Sequence, residues 1–439
     1  MTLLKMKRLL AIAFLLLPFA FATYAQTGSW AGKLDAMGNK LTIVFHLDGE
    51  EPTMDSPDQG ALGFPIQVER TATGGITIRI PSLGASYEGQ WVIRQIVGTF
   101  RQSGLSFPLT LTPEVKPNRP QNPVGPFPYT AEEVSFTNGD AHLEGTLLLP
   151  EGYSRKTPVL IMVTGSGQEN RDEEIYDHKP FAVIADALAR AGIATLRYDD
   201  RGVGGSTGDV AQATTEDFKD DALAGIRLLR ERFDRVGVLG HSEGGTIALM
   251  LAAEKQADFI VSLAGVAVSG TETLVRQSRT GLLDAGFPEA TVDTYCKAFA
   301  EACQVRVHGG RMPSPDELDL PDALKQNYVA ALRQIQSPWM TRSLSLDMRP
   351  LLGGITCPVL AFNGTKDFQV DHESNLGALR SGLPANPGNQ IVTVEGVNHL
   401  FQHCTTGAVS EYRSIEETFA PEVLEQMVRW LSGLKTNSL

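Results

Sequence analysis

Ser242 stands in the string Gly240-His241-Ser242-Glu243-Gly244. A serine with glycine two places away on each side can occupy a tight turn between a strand and a helix, with its hydroxyl lifted clear of the backbone. The flanks supply both elements. Val236-Gly237-Val238-Leu239 is an apolar run of strand type, and Gly244-Gly245-Thr246-Ile247-Ala248-Leu249 opens a helical pattern. The pentapeptide alone arises by chance in glycine-rich chains; this context sets it apart from an ordinary strand-to-helix turn. A serine hydroxyl attacks poorly until a base takes its proton. Base and orienting acid are expected later in the chain, acid first. Asp367 follows the apolar run 358–363 in Gly364-Thr365-Lys366-Asp367, and His399 follows the run 391–394 in Gly396-Val397-Asn398-His399. Both fall on loops at strand C-termini, where ligand chemistry gathers in open α/β sheets. Ser242, Asp367 and His399 are expected to serve as nucleophile, orienting acid and base of acyl transfer. Asp371 is the runner-up acid, farther from its strand end. His241 is expected to point elsewhere, and His403 to lie on the following helix.

Acyl transfer also needs N–H donors for the oxygen that becomes negative. The residue after the nucleophile, Glu243, is expected to give one backbone N–H. The loop after the run 159–163 reads Thr164-Gly165-Ser166-Gly167-Gln168, and Ser166 or Gly167 is expected to give the second. The competing reading of this loop is a nucleotide site. Against it, Asn170 occupies the third glycine position and no Gly-Lys-Ser/Thr follows. The charged turn Arg197-Tyr198-Asp199-Asp200-Arg201-Gly202 is read as a structural corner whose charges pair with Asn170-Arg171-Asp172-Glu173.

These residues need a scaffold that brings distant loops to one edge. From 131 to 439 a hairpin, Glu133–Thr137 and Leu143–Leu149, is followed by apolar strand cores that alternate with amphipathic helices. That alternation predicts an α/β fold with a mostly parallel sheet covered on both faces. Residues 270–350 break the rhythm with helical content of their own, as expected of a lid. Residues 26–112 carry only short strands with turn residues between, which predicts an all-β domain, either a sandwich or a partly closed barrel. Six prolines within 113–130 predict an extended linker between the two.

Residues 1–25 are read as a signal peptide. Lys5, Lys7 and Arg8 precede an apolar run, and Thr23-Tyr24-Ala25 offers a cleavage site. The run is short of the ~20 residues that a membrane anchor needs, so a periplasmic or secreted protein is expected. A net charge of −13 argues against nucleic acid or an anionic membrane as partner. Four cysteines are too few for a disulfide scaffold, and Cys296 and Cys303 on one helix are too far apart to bridge.

The strings Gly165-Ser166-Gly167, Asn170-Arg171-Asp172, His178-Lys179-Pro180-Phe181, Arg197 to Gly202, Gly240 to Gly244 and Asn363 to Asp367 resemble the serine aminopeptidase-like family of α/β hydrolases. Within it they are most similar to two-domain bacterial carboxylesterases of the EstD type. The resemblance is strong over about 130–435. It implies an α/β-hydrolase fold, an immunoglobulin-like N-terminal domain and hydrolysis of small-molecule short acyl esters by a Ser-Asp-His triad. It also implies that no cofactor is needed, and no metal site is assigned. Gln168 departs from the family pattern, which has proline there. The alternatives are an exopeptidase or amidase with the same triad, and a non-catalytic binding protein.

Overall fold

The computed structural model describes residues 28–436 apart from 37, 38, 50, 58–60, 72 and 116, so the expected signal segment 1–25 lies outside the described residues. The chain divides into two units between Pro117 and Asn118.

The first unit is built from alternation. In β6 (Gly75–Ile80), Ile76, Ile78 and Ile80 are buried while the residues between them face outward. Its nine strands are β1 (Ser29–Ala36), β2 (Asn39–His46), β3 (Thr53–Ser56), β4 (Ala61–Pro65), β5 (Gln67–Arg70), β6, β7 (Ala85–Val92), β8 (Gln95–Gln102) and β9 (Leu105–Pro113). They form one sheet in the order β4-β3-β2-β1-β9-β8-β7-β6-β5. Ile66 alone separates β4 from β5, the two edges of that sheet. A sheet whose edges are joined by one residue must roll back on itself, which selects the partly closed barrel over the sandwich. Inside lies a single core that includes Trp30, Phe45, Ile78, Tyr87 and Leu109. The expectation of an immunoglobulin-like domain is corrected. That fold requires Greek-key connections, whereas here every neighbouring pair except β1 and β9 is consecutive in the chain.

The second unit begins inside the proline-rich segment, which is held by hydrogen bonds from its first residues. The Arg119 guanidinium donates to the carbonyls of Tyr176, Arg413 and Ile415. Gln121 exchanges hydrogen bonds with the backbone of Phe419. An antiparallel hairpin follows, β10 (Tyr129–Asn138) and β11 (Ala141–Pro150), turning at Gly139-Asp140. Next come β12 (Val159–Val163), α1 (Pro180–Arg190), β13 (Ala194–Tyr198), α2 (Thr215–Arg230), β14 (Val236–His241), α3 (Glu243–Ala253) and β15 (Ile260–Leu263). The sheet order is β10-β11-β13-β12-β14-β15-β16-β17, parallel from β13 onward.

The central strands β12, β13, β14 and β15 are buried at every residue. That explains their largely apolar runs, since both faces pack on helices. One core lies under α2 and α3, and the other under α1 and the last helix, α10 (Pro421–Thr436). Between β15 and β16 (Val359–Gly364) runs a helical insertion of α4 (Gly270–Asp284), α5 (Glu289–His308), α6 (Asp322–Gln334), α7 (Pro338–Ser345) and the short α8 (Arg349–Leu352). It has its own core, including Val292, Tyr295, Phe299, Cys303 and Tyr328. After β16 come α9 (His372–Gly382) and β17 (Gln390–Val394). No helix among the described residues is long and apolar enough to cross a membrane.

Candidate active site

Ser242 occupies the turn between β14 and α3 with φ 51° and ψ −114°, a region that residues other than glycine rarely enter. Holding a residue there costs roughly 1–3 kcal/mol and requires surroundings that leave no alternative. The two glycines of the pentapeptide supply that fit. A Cβ on Gly240 would lie 1.9 Å from the Gly244 carbonyl oxygen, and one on Gly244 would lie 2.0 Å from that of Val163. The Ser242 amide donates to the Leu263 carbonyl at 2.8 Å, which anchors the turn to β15.

Asp367 lies on the loop after β16 and His399 on the loop after β17. The His399 Nδ1 is 2.8 Å from the Asp367 Oδ2, and both side chains are almost wholly removed from solvent. The other carboxylate oxygen, Oδ1, accepts the amides of Gln369 and Val370, each at 2.8 Å. With its acceptor sites filled in this way, the carboxylate is fixed in orientation. The runner-up acid is engaged elsewhere. Asp371 caps α9 by accepting the Ser374 amide at 2.9 Å and lies 3.5 Å from Arg276. The histidine loop is braced by Asn398, whose Oδ1 accepts the amides of Leu400 and Gln402.

His403 is not on a helix, because only a 3-10 turn at Val409–Glu411 precedes α10, which begins at Pro421. It pairs with Val397 in an isolated bridge and sits between Glu417 and Glu422. His241 does turn elsewhere, into a buried contact with Glu173 and the His399 backbone.

Glu243 opens α3, and the first N–H groups of a helix have no acceptor within it. Its carboxylate is buried and held by two donors, the Thr215 hydroxyl at 2.6 Å and the Trp339 indole N–H at 2.9 Å, with the Ser166 side chain close by. Burial pushes this carboxyl up, and those hydrogen bonds oppose the shift. Glu243 and Ser166, both expected near the oxyanion, are therefore neighbours. Gly165 closes the same corner, since a Cβ there would lie 3.5 Å from the Ser242 Cβ. Gly167 follows on that loop with φ +130°.

Behind the loop sits a set of acids. Asp200 accepts the Thr164 hydroxyl and the Glu169 amide, and burial pushes its carboxyl up to about 7. Burial, with Glu173 nearby, pushes Glu169 up to about 9. The charges of the Arg197–Gly202 corner pair with the 170–173 loop, as the sequence suggests. Arg171 meets Asp199 at 2.7 Å, and Arg197 meets Asp172. Among the described residues no group of three or more His, Cys, Asp or Glu is placed to hold a metal ion, and all four cysteines are free.

Thr215, Trp339 and Glu173 carry no sequence signal that separates them from other polar or aromatic residues. Only the convergence of α2, α7 and the 165–173 loop on the elbow singles them out.

The profile described as the alpha/beta hydrolase family matches residues 160–410. Esterase EstD of Thermotoga maritima is 29% identical over 278 residues, which cover 62% of this chain and 61% of that relative's length. Among solved structures, an esterase of Pyrococcus furiosus aligns with a TM-score of 0.45 and 18% identity, covering 73% of this chain and 98% of that one. Proline iminopeptidase of Mycobacterium smegmatis aligns with a TM-score of 0.43 and 17% identity, covering 70% and 100%.

Proposed function

Because the chain belongs to the alpha/beta hydrolase family, we propose that this hydrolase is a serine carboxylesterase acting on short acyl esters through Ser242, His399 and Asp367. The observation that carries the reading is the 2.8 Å contact of His399 with Asp367 on the loops after β16 and β17, in a unit whose β14 ends at the strained Ser242. His399 Nε2 takes the proton of the Ser242 hydroxyl as its oxygen attacks the ester carbonyl. Asp367 holds Nδ1–H and stabilises the imidazolium that forms. Backbone N–H groups of Glu243 and of Ser166 or Gly167 receive the developing oxyanion. His399 then protonates the departing alcohol, and the same imidazole activates the water that releases the acid.

The amidase alternative needs an acidic group free to receive an amine. Glu243, the acid beside the nucleophile, already has its carboxylate engaged by Thr215 and Trp339. The insertion 270–350 serves as the lid. Export completes the reading: residues 1–25 are removed, and the enzyme works in the periplasm or outside the cell.

Ser242→Ala is expected to abolish labelling by a fluorophosphonate and turnover of p-nitrophenyl acetate while leaving the circular dichroism spectrum unchanged. Persistent labelling would remove Ser242 from the mechanism. Faster turnover of aminoacyl anilides than of p-nitrophenyl esters would favour the amidase instead.

A further inference from the structure

Three segments carry the proposed site, and they come from distant parts of the chain: the loop at 165–167, the elbow at 240–244 and the histidine loop at 396–399. One buried pair of side chains touches all three. The Oε1 of Glu173 accepts the Gly165 amide at 2.9 Å and lies 2.7 Å from the Nδ1 of His241. On the far side of the same ring, Nε2 lies 2.9 Å from the backbone carbonyl oxygen of His399. The His241 and His399 rings are 4.7 Å apart between centroids, and His241 and Glu173 are 7% and 6% exposed.

The partners dictate the proton count. A carbonyl oxygen can only accept, so Nε2 carries a proton. The contact of Nδ1 with a carboxyl oxygen requires a second proton between them. With that proton on the ring rather than on the carboxyl, which the Gly165 amide donated to the same oxygen favours, the imidazole is doubly protonated and both of its N–H groups donate.

We propose that His241, held as an imidazolium on Glu173, is a positioning residue that fixes the backbone of His399 and of the 165–167 loop relative to Ser242. The inference rests on the triad reading above and adds a second, non-reacting imidazole to it. A neutral ring would lose one of the two donors, and either the His399 loop or the 165–167 loop would be released. Misplacement of reacting groups by about an ångström is enough to cost on the order of 100-fold in rate.

The groups facing this ring are Glu173 and Glu169 from the 165–173 loop, His399, and the apolar ring of Phe401, with Asp200 behind them beside Glu169 and Glu173. Burial works against a charge on His241. Glu173, by charge and hydrogen bond, outweighs it together with the His399 carbonyl and Glu169, and the ring is pushed up to about 9. A base raised in the folded state stabilises it fully below the ordinary imidazole value near 6.5. That stabilisation is lost as pH rises through about 9. Glu169 is itself pushed up to about 9, chiefly by burial.

The test is a titration of the full-length protein labelled with 15N-histidine, followed by NMR of the ring nitrogens. One of the eight imidazoles should stay doubly protonated from pH 6 and lose its proton near 9. Glu173→Gln keeps an oxygen for the Gly165 amide but removes the charge, so it should lower that titration by about one pH unit or more. The alkaline limb of kcat for p-nitrophenyl acetate should move with it. His241→Asn should lower kcat by about 10- to 100-fold with KM changed less than about twofold. The proposal is overturned if the imidazole whose signal is lost in His241→Asn is neutral at pH 8, or if Glu173→Gln keeps the parental kcat and pH profile. Should His241→Asn fail to fold, Glu173→Gln still decides. A Ser242→Ala protein that still turns over ester would sink the triad reading while leaving the titration near 9 in place, so the two failures are distinguishable.

Discussion

Two aspartates four positions apart show how environment assigns roles at the scale of the residue. Asp367 has one oxygen on His399 and the other on two backbone amides, whereas Asp371 spends its carboxylate on the first turn of α9. Asp367→Asn should leave the geometry in place and favour the wrong imidazole tautomer. The expected loss is roughly 10³- to 10⁴-fold in kcat, measured with p-nitrophenyl acetate. Asp371→Ala removes a helix cap and should cost about 1 kcal/mol in denaturant unfolding, with kcat within about twofold of the parent. A reversal of these two outcomes would exchange the roles of the acids.

At the scale of the element, a side-chain hydrogen bond ties the insertion to the elbow. Trp339, on α7, donates its indole N–H to the buried Glu243 carboxylate at 2.9 Å. Trp339→Phe keeps most of the apolar contact and removes that donor. It should destabilise the protein by about 1–3 kcal/mol, the cost of an under-satisfied buried acceptor. It should also shift the preferred chain length across a p-nitrophenyl ester series, because α7 loses its tie to the residue after the nucleophile. An unchanged chain-length profile would mean that α7 does not shape the acyl site. The loop joining β12 to α1 has a comparable anchor. Arg171 reaches Asp199, Glu133 and Thr146, and breaking it by Arg171→Ala should cost about 3 kcal/mol. Burial raises the Asp199 carboxyl, but Arg171 prevails and holds it below its ordinary value of 3.8. The stabilisation is therefore present above pH 3.8 and lost as pH falls through the lower folded-state value. In Arg171→Ala the stability difference from the parent should shrink on acidification, as urea unfolding across pH 2–6 would record.

The whole molecule joins two units with separate cores, one lined by residues such as Trp30, Phe45 and Tyr87, the other split by the faces of a mixed sheet. A net charge of −13 suits neither polyanion nor anionic membrane. If residues 1–25 direct export, N-terminal sequencing of the protein recovered from the periplasm or medium should begin at Gln26. Recovery of the protein only from the cytosol with Met1 intact would remove the export proposal.

Local sequence determined much of this. Largely apolar runs bounded by glycine mark the central strands because a parallel strand buried on both faces carries few polar side chains, and those need buried partners, as Arg197 has in Asp172. Ser242 is legible because its glycines sit at fixed places in a strand-to-helix turn, although the contact that demands Gly244 comes from Val163 on a neighbouring strand; Asp367 and His399 are legible because the strand ends before them are. Three of the nine barrel strands, β3, β4 and β5, were not, since they are only four or five residues long and one of them, β5, is largely exposed. That all nine strands form one sheet, whose joined edges at Ile66 then make it roll, depended on β1 meeting β9 across the length of the unit, a pairing that no local pattern encodes. The same holds at the site. His241 sits beside the nucleophile in sequence, yet its partners Glu173 and His399 are 68 and 158 residues away. Its charge follows from the acceptors that folding brings to each ring nitrogen, and a one-dimensional chain does not contain that information.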